Sequence, residues 1–366
     1  MKVIYDERNI ILSRVQLKKG SKNYQAFYER HPELKEKDDA VRSQGIKDKL
    51  RESDAFKARF FPLSNANHLM IKSFYDTLSE TPLGKRVDVG QNFHENIKAI
   101  TKHYGASDVG IVKLKDEHYY SHQGGLSFTI GLDSYGKEVK KSYTHAIVYA
   151  IEMDQDFIER APFFEEMLET ENAYLKMAFT GFRLAMYLKQ LGYKSMFQSE
   201  PYYLTPLVPL AYDAGLGEIG MTNHIIHKKL GNRIRLGAVL TTLKLKEDQP
   251  IDFGLEAFCK RCALCVMTCP SKSITPYKRV RNNRPFYKFD DQTCYQLWTN
   301  SGTDCGVCIK ICPFSKSIES KTIDAIKNDP LKIDAFLKDY LAKHPIHDVK
   351  KSRLKLVKEH THDSKH

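Results

Sequence analysis

No apolar run in this chain is long enough to cross a bilayer. Stretches such as Ala146–Ile151 fall far short of the ~20 residues that a spanning helix needs. The opening MKVIYDERNI lacks the basic-then-apolar pattern of an export signal and has no twin-arginine pair. The expected location is therefore the cytoplasm. Cysteine is also missing from most of the chain: all eight lie between Cys259 and Cys312, and the other 312 of the 366 residues contain none. A disulfide framework belongs to short secreted chains and is excluded on both counts. Hydrophobic residues at 42% and charged residues at 28% leave an ordinary globular composition, which rules out a wholly disordered or fibrous protein. The length suggests two or three compact units. The formal charge of +12 attracts nucleic acid, acidic membrane or an acidic partner without choosing among them. Part of it sits in the final KKSRLKLVKEHTHDSKH, which reads as a solvated tail.

The clustered cysteines carry the clearest chemistry. The first four read Cys259-x2-Cys262-x2-Cys265-x3-Cys269-Pro270. This is the bacterial ferredoxin run, in which three thiolates grip one [4Fe–4S] cluster and the fourth reaches a second. Zinc instead uses separated CxxC pairs and gains nothing from these offsets. The second set is a shifted copy. Advancing by 43 residues carries Cys262, Cys265 and Cys269 onto Cys305, Cys308 and Cys312, while Cys259 falls on Gly302. Cys294 is the cysteine left to replace it. The expected ligand sets are Cys259, Cys262, Cys265 and Cys312 for one cluster, and Cys294, Cys305, Cys308 and Cys269 for the other. Two adjacent clusters make a short wire for single electrons.

The rest of the chain divides by pattern. Residues 1–95 are charged and helix-prone, with no visible chemistry. From 96 to 251 helix and strand mix: GASDVGIVKL, THAIVYAIEM and IRLGAVLTTLKL read as buried strands. Residues 252–320 form the ferredoxin-like unit, and 321–366 a helical, basic end. Glu171 to Leu191 reads as a helix with Leu175, Phe179, Phe182 and Met186 as its core stripe. A second stripe, Tyr174, Ala178, Gly181 and Ala185, either packs against a neighbour or aims the tyrosine hydroxyl at a cofactor or substrate. Gly215-x-Gly217-x-x-Gly220 matches a dinucleotide fingerprint literally, but no clean strand precedes it and no acidic residue follows at the required distance. Asp116-x-His118 begins a pattern by which some corrinoid enzymes ligate cobalt, but Ser121 stands where that pattern needs glycine.

Together, AYDAGLGEIG, GNRIRLGAVLTTLKL, CKRCALCVMTCPSKSI and CYQLWTNSGTDCGVCIKICPFSK make the chain resemble a reductive dehalogenase homologue. It is similar, at greater distance, to epoxyqueuosine reductase, the cobalamin-dependent tRNA-modifying enzyme. The resemblance covers about 96–320 and implies an α+β fold: a nitroreductase-like core holding a base-off cobalamin, beside a ferredoxin-like two-cluster [4Fe–4S] domain. It makes Tyr174 the proton donor, Arg235 its basic partner, and Gly215, Gly217 and Gly220 the cofactor-binding candidates. Glu200, in QSEPYYLTP, is a candidate carboxylic donor where dehalogenases often carry Asn and the tRNA enzymes Asp. Met221 stands where arginine is frequent. The implied partners are a low-potential electron donor of ferredoxin or flavodoxin type and a small organic, or organohalide, substrate. Two alternatives stay open: a tRNA-modifying reductase, and an electron-transfer protein without catalysis of its own.

Overall fold

The computed structural model describes residues 3–44, 55–131 and 133–346. The basic tail read at 350–366 lies outside them. The main sheet has four strands, β1 (Asp108–Lys113), β2 (His145–Glu152), β3 (Ser195–Gln198) and β6 (Ile234–Thr241), in the order β1-β2-β6-β3. Every neighbouring pair is antiparallel. Short strands β4 (Glu218–Ile219) and β5 (Ile225–Ile226) form a hairpin, and β7 (Ile274–Arg281) and β8 (Arg284–Phe289) form a longer one in the cysteine-rich unit. The architecture is α+β.

The three strands read from the sequence are β1, β2 and β6. They are apolar almost throughout because helices cover both faces of the sheet. In β2, Ile147, Tyr149 and Ile151 join a core with the helices Ala55–Glu80, Phe93–His103 and Phe164–Gln190. Ala146, Val148 and Ala150 point the other way, into a core that includes the Leu207–Asp213 helix. The two-residue period of a strand makes that division.

The Phe164–Gln190 helix begins seven residues before the expected start at Glu171, with Glu165 and Glu166 in its first turn, where acidic groups favour the helix dipole. The expected core stripe needs correction. Phe179 is 45% exposed, whereas Ala178, Gly181 and Ala185 are buried. The cause is Tyr149, whose hydroxyl donates to the Met177 carbonyl at 2.7 Å. A Cβ on Gly181 would lie 2.4 Å from that same oxygen. Only small residues allow the helix to seat on this ring. Phe182 stacks on Phe74 of the Ala55–Glu80 helix, with centroids 4.9 Å apart.

The cysteine-rich unit follows β6 and is backed by the Pro330–Lys343 helix, with Phe336 against Phe258. Among the described residues, no helix is long and apolar enough to cross a membrane.

Candidate active site and metal centre

Left-handed residues bring the sulfurs together. The Leu255–Cys262 helix carries Cys259 and Cys262 and ends at Ala263, with φ +43°. The Leu264–Thr268 helix then supplies Cys265, and Cys269 follows it. In the second set, the Asp291–Ser301 helix supplies Cys294, and the positive-φ pair Cys305 and Gly306 turns the chain into Val307–Lys310, which carries Cys308. Each reversal lets successive sulfurs face one point.

The eight sulfurs sort themselves electrostatically. Burial pushes the Cys262 and Cys265 thiols up to about 12, and both feel Cys312. Cys259 is raised by burial and then by Cys312, Cys265 and Cys262. Burial likewise raises Cys294 to about 12, with Cys305 and Cys269 as its nearest thiol neighbours, and Cys308 rises with Cys305, Cys265 and Cys294 beside it. Cys259, Cys262 and Cys265 thus share Cys312 as a neighbour, Cys294 neighbours Cys305 and Cys269, and Cys308 lies beside Cys265 as well as Cys305 and Cys294. Cys269 behaves differently: burial is outweighed by the Ser271 hydroxyl and by amides of Ile274, Ser273 and Ser271 donating to its sulfur, which lowers its pKa. One cavity is lined by Cys259, Cys262, Cys265, Cys308 and Cys312, with Gly220 and Met221 at its wall. The Met221 amide donates to the Cys259 sulfur. Thiols crowded and buried in this way ionise when bound cations compensate them, so the donor set fits iron–sulfur clusters.

A second constellation lies where the long helix, β6 and the loop after β3 meet. Tyr75 pins that loop: its hydroxyl donates to the Ser199 and Tyr202 carbonyls at 3.1 and 3.2 Å, and its ring stacks on Phe197. Glu200 is thereby held beside Tyr174, whose hydroxyl donates to its carboxylate. The Arg235 guanidinium lies 5.3 Å from the Tyr174 ring centroid, donates to Thr170 Oγ1 at 2.7 Å, and comes within 3.9 Å of Asp304 Oδ2. The structure therefore brings Tyr174, Glu200 and Arg235 together. Burial and then the Glu200 charge raise the Tyr174 phenol, while Arg235 opposes them.

The sequence reading missed four residues here. Glu166 is fully buried, and burial followed by Asp304 pushes it well above the carboxylate range. Its side chain packs beneath Gly306, next to Cys305. Asp304 precedes Cys305 directly, so the second cysteine set and the Arg235 site share one turn. His224 Nδ1 donates to Asn232 Oδ1 at 3.0 Å, and burial and then Arg235 lower its pKa to about 4. Arg235 Nε, Asn232 Nδ2, Asp304 Oδ1 and Glu166 Oε2 are buried without a hydrogen-bond partner. Such orphans are uncommon in native interiors, and a cluster of them marks a place for a ligand. Glu166 had no distinguishing signal in the acidic run FFEEMLETE; Asp304 had one, its adjacency to a ligand cysteine.

The glycines separate. Gly215, at φ +73°, follows the Leu207–Asp213 helix, and a Cβ there would lie 2.5 Å from the Gln249 carbonyl oxygen. At Gly217 the corresponding distance to the Ile226 oxygen is 2.3 Å. Both positions serve close backbone approach, and only Gly220 reaches the cysteine cavity. His118 is committed elsewhere. It is buried, with Nδ1 accepting from the Lys115 amide at 3.1 Å and Nε2 2.9 Å from both Asp213 Oδ2 and Arg284 Nη2.

The model of a 4Fe-4S dicluster domain matches residues 258–316. The tetrachloroethene reductive dehalogenase of Sulfurospirillum multivorans is 27% identical over 250 residues, covering 60% of this chain and 50% of the relative. That of Dehalobacter restrictus is 30% identical over 182 residues, covering 46% and 33%. The epoxyqueuosine reductase of Lactococcus garvieae is 29% identical over 136 residues, covering 34% and 36%. A solved catabolic reductive dehalogenase shares the fold, with a TM-score of 0.67 at 22% identity, covering 93% of this chain and 48% of that one. The chain thus spans at most about half the length of these reductive dehalogenases. With two cysteine sets in the spacing of a dicluster unit, the chain is similar to reductive dehalogenases and, more weakly, to epoxyqueuosine reductase, and it carries an iron–sulfur dicluster domain.

Proposed function

We propose that this chain is a corrinoid-dependent iron–sulfur reductase that reductively cleaves a small organic substrate, organohalides being the first class to try. The observation that supports this most is the convergence of Tyr174, Glu200 and Arg235 beside the turn that carries Cys305. When bound, two [4Fe–4S] clusters supply electrons singly and a base-off cobalamin supplies the bond-cleaving chemistry. Cys259, Cys262, Cys265 and Cys312 would hold one cluster, and Cys269, Cys294, Cys305 and Cys308 the other. The orphaned atoms of Asn232, Arg235 and Asp304 suit the amide-rich rim of a corrinoid. Gly215 and Gly217 would act there only by letting the backbone approach, and Gly220 at the cavity wall.

The proton chemistry belongs to the chain. Tyr174 Oη holds a proton that burial keeps in place, and it delivers that proton where negative charge develops on carbon. Arg235, over the ring, stabilises the phenolate left behind. Glu200 accepts from the Tyr174 hydroxyl and so fixes its position, and a proton from solvent restores the phenol after transfer.

Anaerobic purification with corrinoid tests the whole reading: eight irons and one cobalt per chain are expected, with reductive turnover from a low-potential donor. Tyr174→Phe should keep the metals and lose about 10²–10⁴-fold in turnover; unchanged turnover dismisses the acid, and eight irons without cobalt leaves only an electron carrier. The identity with an epoxyqueuosine reductase and the +12 charge favour a second reading, reduction of a modified tRNA base. Binding of an anticodon stem-loop with a steep salt dependence would select it.

A further inference from the structure

We propose that the β7–β8 hairpin and the exposed sides of the two helices before it form the docking surface of an acidic, low-potential, one-electron carrier protein. This rests on the iron–sulfur part of the reading above and not on the corrinoid.

Between Ala257 and Phe289 the chain has eight Lys and Arg residues and no Asp or Glu. Some of that charge is used internally: Arg284 is buried, Arg261 pairs with Asp334, and Lys260 and Lys278 share Glu256. Arg279, Arg281 and Lys288 have no acidic partner among the described residues, so the hairpin carries uncompensated positive charge into solvent. Side chains from Pro276 through Val280 are exposed, including Tyr277 at 68% and Val280 at 67%. Met267, 55% exposed, adds to them from the Leu264–Thr268 helix, where Lys272 donates to its carbonyl. The surface combines apolar side chains with unpaired cations.

Its position gives the patch a purpose. At the foot of the hairpin, Ile274 and Tyr287 pack in one cluster with Cys259, Cys265, Cys269 and Cys308. A carrier seated on the hairpin is thus placed against residues that pack on cysteines of both sets. Positive charge steers an acidic protein to this place and rejects basic ones, while a few exposed apolar side chains suit the small interface of a transient redox encounter. RNA phosphates would be drawn to the same cations but have no reason to approach the thiolate cages. In the transfer itself the reduced carrier loses one electron and a cluster gains it; no covalent bond changes.

The experiment uses the cluster-loaded protein and its Arg279→Glu/Lys288→Glu variant, with an acidic [2Fe–2S] ferredoxin as probe. Calorimetry should find salt-sensitive binding of the ferredoxin to the wild type and at least tenfold weaker binding to the variant. Stopped-flow reduction of the clusters by reduced ferredoxin should slow by tenfold or more at low salt. Reduction by photoreduced deazaflavin, iron content and cluster potentials should be unchanged. Equal ferredoxin rates in both proteins would overturn the proposal. So would slowing by both reductants or a shift in cluster potential, since the cations would then serve the clusters. Loss of tRNA stem-loop binding with ferredoxin reduction intact would assign the surface to RNA. Far fewer than eight irons in the wild type would instead remove the reading on which the proposal rests.

Discussion

The sheet half and the cysteine-rich half of the molecule obtain their order from different physics. In the sheet half, large side chains such as Ile147, Tyr149, Phe197 and Leu184 are fully buried between layers. Each contributes roughly 1.5–3 kcal/mol by leaving water. The cysteine-rich half is built from helices of eight, five, eleven and four residues around the sulfurs, too short to persist alone. Its own apolar cluster lies on the side facing the Pro330–Lys343 helix. Towards the sulfurs it offers buried thiols that repel one another once ionised. The first half has the means to fold by burial; the second is expected to draw more of its order from bound metal.

The largest expected effect is therefore removal of the iron. Stripping the clusters with a chelator should expose amides 255–316 to fast hydrogen exchange while β1, β2 and β6 stay protected, because metal binding to such sites contributes on the order of 10 kcal/mol of folding energy. Equal loss of protection in both halves would show one cooperative unit and break the comparison.

The seam between the halves comes next. Arg284 of β8 bonds Asp213 and lies 3.2 Å from Glu117 Oε1, with His118 in the same buried group. Arg284→Met should cost about 3–5 kcal/mol by leaving Asp213 uncompensated. Despite burial, bonds from His118 and Arg284 hold Asp213 well below the usual carboxylate range. Its stabilisation is complete above about pH 3.9 and fades as the pH falls through the lower folded value. Melting temperatures of variant and wild type should converge in strong acid.

On the sheet side a carboxyl sets the pH response. Burial raises Glu7 to about 7, although the Gly124 amide donates to it. Its contribution is full below the unfolded value of about 4.3 and is lost as pH rises through 7, a change of about 3 kcal/mol. Glu7→Gln should flatten that slope in thermal melts. Smallest is Gly181→Ala, expected to cost about 1–3 kcal/mol through its clash with Tyr149, with iron content unaltered. A silent substitution would mean that Tyr149 moves freely.

How much was readable depends on the range of the forces involved. The cysteine sets are specified by spacing over a few residues, because a cluster is smaller than a helical turn is long. Strands β1, β2 and β6 announced themselves by predominantly apolar runs rich in branched residues. The inward face of the Phe164–Gln190 helix did not, because hydrophobicity favours Phe179 and Leu175 while the shape of Tyr149 selects Ala178, Gly181 and Ala185. His118 was ambiguous until Asp213, 95 residues away, was found bonded to it.

The sequence by itself determined the iron–sulfur chemistry and the strands of the sheet, since both follow from local spacing and composition. Only the tertiary structure decided that Glu200, Tyr174 and Arg235 meet, and that Glu166 and Asp304 lie beside them. Those groups come from a loop, a helix, a strand and a cysteine turn far apart in the chain. Burial and mutual charge, which give them their chemistry, exist only once the chain has folded.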